Sequence, residues 1–123
     1  MKGILWLALN SHTFPVECIY NPVQHLHVTL EYGVNYESCD FLIGRKVEVI
    51  AVSNCWNDKV QALRVNLPPE YAAICDNVHP HMTISTADNV RPVESNNMLS
   101  GEYNELAVQI VMQTTVDFIT LMK

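Results

Sequence analysis

Two short segments of the chain carry residue types suited to phosphate chemistry, and they are built alike: His25-Leu26-His27-Val28-Thr29-Leu30 and His79-Pro80-His81-Met82-Thr83-Ile84-Ser85. In each, polar and apolar residues alternate, the pattern of a half-buried strand. Side chains two apart on a strand point to the same face, so His27 shares a face with Thr29, and His81 with Thr83. If the two strands lie side by side, two imidazoles and two hydroxyls converge on one small volume. Imidazoles titrate near neutrality, so one could take a proton from an attacking water while the other gives a proton to a leaving alkoxide. The hydroxyls of Thr29 and Thr83 would donate to non-bridging phosphate oxygens and hold phosphorus between the two rings. That chemistry needs no metal and no other cofactor, and the spacing leaves open which histidine is the acid.

A single triplet would mean little. Five histidines and seven threonines scattered through this length give about 0.3 His-x-Thr triplets by chance. Two are far rarer, and here each is followed by an aliphatic residue (Leu30, Ile84) and preceded two positions earlier by another histidine. They fall in the two halves of the chain, which points to two similar lobes about a pseudo-twofold axis, although the halves share no other convincing similarity. The bland reading is a pair of core strands whose histidines happen to be half-buried.

Leu26-His27-Val28-Thr29-Leu30 and His81-Met82-Thr83-Ile84-Ser85 resemble the two His-x-Thr motifs of the 2H phosphoesterase superfamily. Its members include bacterial RNA 2′,3′-cyclic phosphodiesterases, the cyclic-phosphodiesterase domains of fungal and plant tRNA ligases, and phage nucleases that destroy cyclic-nucleotide signals. Glu31-Tyr32-Gly33 is also similar to the aromatic-then-glycine ending of the first motif. The chain departs from the larger members in size: where they carry a full helix, residues 10–24 contain Pro15 and Pro22. The resemblance implies a cyclic nucleotide phosphodiesterase with His27 and His81 as catalytic residues.

Other residues are candidates of lower rank. Ser85 is in register with Thr83 and either adds a hydroxyl to the phosphate site or caps the strand. Tyr32 and Tyr71 are aromatic platforms for a base or else packing residues. Trp56 near a hairpin tip invites the same two readings. Arg45, Arg64 and Arg91 are the only arginines, and any of them could meet a second phosphate. His25 and His79 share faces with His27 and His81, so four imidazoles could ring one hollow and offer ligands to zinc. No carboxylate follows either motif directly in face register, which favours the reading of His25 and His79 as rim residues. His12 has no evident partner.

The elements that must position these residues are short. Residues 3–9 are apolar on both faces, as in a central strand covered on both sides, and residues 10–24 read as a loop interrupted by proline. The first motif strand spans about residues 25–32, followed by a polar, turn-like stretch over 33–40. Residues 46–54 and 60–67 form a hairpin whose tip, Asn57-Asp58, tolerates left-handed backbone. Residues 68–77 read as the one good helix, with prolines in its first turn and Glu70 near its positive end. Residues 86–102 read as a long surface loop over the site. Residues 105–122 read as two strands with a turn near 113–115. The tally is an α+β fold: a compact, two-lobed, 2H phosphoesterase-like domain over residues 1–123, mostly antiparallel strands around a concave central groove with one or two helices outside.

Composition narrows the partners. A net charge of −6 with seven basic residues argues against a broad electrostatic grip on polynucleotide backbone. The expected substrate is therefore a small nucleotide, a cyclic oligonucleotide or an RNA 3′ end held only at its terminus. Cys18, Cys39, Cys55 and Cys75 form no Cys-x-x-Cys pair and read as reduced thiols of a cytoplasmic protein, an even count leaving a disulfide framework open. The first nine residues mimic a secretory leader but lack a small-x-small cleavage site and read as the first strand. No apolar run approaches the ~18 residues of a membrane span. Three rival functions remain: a silent module that sequesters a nucleotide, a metal-dependent hydrolase using four histidines, and a structural β-rich subunit with incidental motifs.

Overall fold

The computed structural model describes residues 1–121, and the described chain is dominated by strands: β1 (Lys2–Leu9), β2 (Asn21–Pro22), β3 (His27–Asn35), β4 (Lys46–Trp56), β5 (Val60–Asn66), β6 (His81–Thr86) and β7 (Asn104–Thr120). Three short α-helices, α1 (Tyr36–Cys39), α2 (Pro69–Ala72) and α3 (Glu94–Leu99), join them. Alternation explains the strands. In β1, Leu5 and Leu7 are fully buried while Ile4, Trp6 and Ala8 on the opposite face are half-exposed. In β4, Val47, Val49, Ala51, Ser53 and Cys55 point inward in strict succession.

All pairings are antiparallel, and the order β6-β3-β1-β7-β4-β5 closes because β5 pairs back onto β6. The result is a closed six-stranded barrel, with β2 a short addition to β6. Leu5, Leu7, Val28, Leu30, Val49, Ala51, Leu63, Val65, Met82, Ile84, Met112 and Val116 come from all six strands and make one contiguous core. Closure has a physical reason. None of the helices is long enough to cover the back of a sheet, so the sheet buries its apolar face against itself, which also removes free edges. The expected two lobes are thus joined in one continuous sheet, and the motif side chains alternate with the core residues, on the face turned away from the barrel interior.

β6 meets β3 at a single paired position, Val28 with Met82. Its other edge is taken by β5, so β2 must pair on the same edge as β3, further along at Ser85 and Thr86. The two motif strands therefore touch only at their motifs.

Several elements differ from the sequence reading. The strand of the first motif starts at His27 and continues to Asn35, and α1 occupies part of the stretch read as a turn. Helix α2 is one turn, not ten residues, because the chain beyond it drops onto β3, where the Asp76 N–H donates to the Leu30 carbonyl at 2.7 Å. The stretch read as a loop over 86–102 contains α3, whose Met98 and Leu99 pack with Cys55 of β4 and Val60 and Ala62 of β5. The last two expected strands are one, β7, which pairs with β4 from Asn104 to Thr115 and with β1 from Thr114 to Thr120. The polar run expected to turn there stays extended because its groups are satisfied across the sheet. Thr114 donates to the Val47 carbonyl at 2.8 Å, and Thr115 donates to Asn10 at 2.7 Å. Met122, the expected end of that strand, lies outside the described residues.

All four cysteines are free thiols, with Cys39 and Cys55 buried. Among the described residues no helix is long and apolar enough to cross a membrane.

Candidate functional site

Antiparallel register about the Val28–Met82 pair sets His27 across from Thr83 and Thr29 across from His81. The two imidazoles are then diagonal neighbours, a relation that sets residues about 7–8 Å apart with their Cβ atoms somewhat closer, with one hydroxyl beside each. Both histidines and both threonines are half-buried and line a common cavity of about 570 Å3, together with Ile4, Tyr32, Asn77, Arg91, Pro92, Val93 and Asn96.

The two imidazoles are held identically. His27 Nδ1 lies 3.0 Å from the carbonyl of His25, and His81 Nδ1 lies 2.9 Å from the carbonyl of His79. A carbonyl only accepts, so each Nδ1 carries its proton and donates, which leaves Nε2 as the nitrogen free to gain or lose one. In both copies the chain bends at the upstream histidine just before the strand begins, and the backbone there supplies the clamp. Burial pushes both imidazole pKa values below the ordinary value. The carbonyl contacts oppose this by favouring the charged ring; the neighbouring His81 and His25 add to the depression at His27, and His79 does so at His81.

The halves differ in what surrounds them. On the first side, the Trp6 indole lies against the His27 ring, centroids 3.9 Å apart and tilted by 31°. Its Nε1 is buried with no partner among the described residues. On the second side, the Thr83 hydroxyl is 2.8 Å from that of Ser95, which is fully buried on α3, and 3.4 Å from the Pro92 carbonyl. The Thr29 hydroxyl has no partner among the described residues, while its carbonyl accepts from the Asn77 amide at 3.5 Å.

Tyr32 reaches the cavity by an irregularity. Simple alternation puts Glu31 on the face of His27 and Thr29, but β3 carries an extra residue against β1, where Leu5 pairs with Glu31 and Trp6 with Thr29. This bulge moves Tyr32 onto the cavity side, opposite Ile4 and 68% exposed, as bulges beside sites commonly re-aim a side chain. Gly33 follows at φ +77°, a left-handed conformation that its lack of a Cβ permits.

Ser85 does not join them. It is fully buried, donates to Gln61 Oε1 at 2.7 Å and accepts from the Tyr20 N–H at 3.1 Å. Residues 10–24 fold over the far end of β6 and claim its hydroxyl, so its register with Thr83 places it under a loop instead of in the cavity. His25 and His79 are also parted. His25 lines two smaller cavities beside Trp6, whereas His79 lines another with Asp76 and Ser100. Among the described residues no three His, Cys, Asp or Glu side chains gather at metal-binding spacing. Tyr71 is a core residue and Trp56 ends β4, paired with Gln61 of β5, and neither lines the cavity.

Trp6, Asn77, Asn96 and Ser95 escaped the sequence reading. Trp6 carried the one available signal, as an aromatic on the face of β1 opposite Leu5 and Leu7. The others depend on how loops return to the sheet.

A comparison with protein families matches residues 23–118 to the fungal tRNA ligase phosphodiesterase domain. The match takes in both motifs and the cover formed by residues 87–101. No curated protein matches the chain.

Proposed function

The chain belongs to the fungal tRNA ligase phosphodiesterase domain family, a family of the 2H phosphoesterase type, and on that premise we propose that it opens a cyclic phosphate at an RNA end or on a nucleotide by water attack. His27 and His81 act as the proton carriers, and Thr29 and Thr83 hold the non-bridging oxygens. The observation that carries the reading is the paired clamp, each Nδ1–H on a carbonyl two residues upstream. With both Nδ1 atoms engaged, a neutral ring offers a bare Nε2 to water and a charged ring offers Nε2–H to a leaving oxygen, so one device serves both roles. In the reaction, the base Nε2 takes a proton from water as its oxygen bonds to phosphorus. The P–O bond to one ribose oxygen breaks on the opposite side, and that oxygen takes the proton of the other imidazole. The product is a phosphomonoester beside a free hydroxyl, with the two histidines exchanged in protonation state.

Burial of the imidazoles supports this division. The charge of His81 lowers the pKa of His27, so the two rings resist being charged together, and burial keeps whichever ring serves as base neutral and able to accept a proton. Thr29 and Thr83 each sit across the seam from an imidazole, the arrangement required to fix phosphorus between the rings. Tyr32, open to solvent at the cavity mouth, is a platform for the terminal base.

The test is product analysis with an oligoribonucleotide ending in a 2′,3′-cyclic phosphate, run beside 2′,3′-cyclic mononucleotides and 3′,5′-linked cyclic dinucleotides. Conversion to a single phosphomonoester isomer, lost in His27→Ala and His81→Ala, is the expected result. Binding of every substrate without conversion would replace the enzyme by a sequestering module.

A further inference from the structure

The reacting phosphate uses two imidazoles and two hydroxyls and leaves one strong anion-binding group of the same cavity unused. Of the three arginines, Arg45 lies over the Phe41 ring at 5.9 Å and Arg64 donates to the Tyr103 hydroxyl at 3.0 Å. Arg91 alone lines the cavity shared by His27 and His81, and it makes no ion pair among the described residues. The acids of its own segment are turned elsewhere: Asp88 accepts from the Asn21 amide at 2.8 Å, and Glu94 reaches Lys59 at 3.8 Å. Among the described residues no carboxylate lines the cavity. In a chain of net charge −6, a lone unpaired guanidinium beside the reactive pair is the exception to the general electrostatics, and guanidinium is the side chain whose fork matches a phosphate.

We propose that Arg91 forms a second-phosphate subsite, so that the preferred substrate is a cyclic phosphate whose ribose also carries a 5′-phosphate or phosphodiester. This rests on the function proposed above and narrows its substrate class to chain ends over free cyclic nucleosides. The cavity, at about 570 Å3, lies within the range that encloses a drug-sized ligand, larger than a cyclic phosphate alone requires. Asn77 and Asn96 line the same cavity, with amides able to donate to and accept from a base edge. One anchored phosphate at each end of a nucleotide reconciles an acidic protein with a nucleic-acid end: the grip is local and does not extend along the backbone.

The experiment compares kcat/KM for adenosine 2′,3′-cyclic phosphate with and without a 5′-phosphate, in the wild type, Arg91→Ala and Arg91→Lys. Arg91 is exposed, so solvent screens the pairing, and a preference of about tenfold for the 5′-phosphorylated compound is expected in the wild type. It should fall below about twofold in Arg91→Ala and survive in part in Arg91→Lys, which keeps the charge but not the fork. Equal turnover of the two compounds by the wild type, or an undiminished preference in Arg91→Ala, overturns the subsite while leaving the phosphodiesterase reading intact. Absence of all turnover defeats that reading instead. The same preference, taken from dissociation constants of adenosine 2′-phosphate with and without a 5′-phosphate, then decides the subsite by itself.

Discussion

Gln61 is the residue whose replacement best separates what holds the fold from what performs the chemistry. It is fully buried on β5, and all four hydrogen-bonding positions of its amide are used. Nε2 donates to the Glu17 carbonyl at 2.9 Å and to Asn54 Oδ1 at 3.2 Å, while Oε1 accepts from the Ile19 N–H at 2.9 Å and from Ser85 Oγ at 2.7 Å. Backbone partners of both kinds fix the orientation, since an N–H only donates and a carbonyl only accepts. Gln61→Ala removes four bonds whose net worth is about 0.5–1.5 kcal/mol each, a total of about 2–6 kcal/mol. Glu17 and Ile19 belong to a loop that regains water when released, which places the loss near the lower half, about 3 kcal/mol. For a domain of this size that corresponds to a fall in Tm of about 10–15 °C. Equilibrium urea unfolding gives the value directly. Gln113→Ala, which loses one exposed bond to Glu48, should stay within about 0.5 kcal/mol and serves as control. Ser85→Ala should destabilise in the same direction while leaving KM for the cyclic phosphate near wild type. A loss below about 1 kcal/mol in Gln61→Ala, or a selective rise of KM in Ser85→Ala, would refute the assignment of this network to loop anchoring.

Burial holds both imidazoles below their ordinary pKa, so the kcat/KM profile should be bell-shaped with its maximum on the acid side of about pH 6.5; a maximum above pH 7.5 would contradict it. The kcat profile should lie higher, because bound phosphate favours charged rings. In stability the sign is fixed: the unfolded chain binds more protons, so this contribution is full above about pH 6.5 and lost as pH falls through the depressed values. Thr29→Val should lower kcat by about a hundredfold with little change in Tm, whereas Thr83→Val should also destabilise by about 1–3 kcal/mol by stranding the buried Ser95 hydroxyl. Paired kinetics and thermal melts distinguish the two. Gly3→Ala would drive a Cβ into the Ile119 carbonyl and to within 2.6 Å of the Phe118 ring, at a cost of about 1–3 kcal/mol that denaturant titration would register.

What alternation encodes was legible: the β4–β5 hairpin and the two motif strands follow from side chains taking turns between core and surface, whereas β1, read from its apolar run as covered on both sides, leaves Ile4, Trp6 and Ala8 half-exposed. His27, Thr29, His81 and Thr83 share one cavity because that alternation places them on one face. What depends on distant pairing was not legible. Barrel closure joins Leu9 to Thr114 and Gln61 to Ser85, contacts that no local window contains. The polar run at 113–115 looks like a turn until Val47 and Asn10 supply partners for its threonines. Tyr32 sits at the cavity because a bulge overrides the period-two rule, and Ser85 is withdrawn from it because a loop covers its strand end. α3 was hidden for a related reason: Met98 and Leu99 are its only apolar residues, too few for a helical stripe to stand out from the polar sequence around them.

The most direct measurement is the rate at which an oligoribonucleotide 2′,3′-cyclic phosphate is opened, with chelator present, by the wild type, His27→Ala, His81→Ala and the double variant. The expected result is chelator-resistant turnover that falls by about 10²–10⁴-fold in each single variant. The double variant should be little slower than either single one, because the two imidazoles act as a unit. Near-wild-type turnover in either single variant, or loss of wild-type turnover to the chelator, would contradict the two-histidine mechanism.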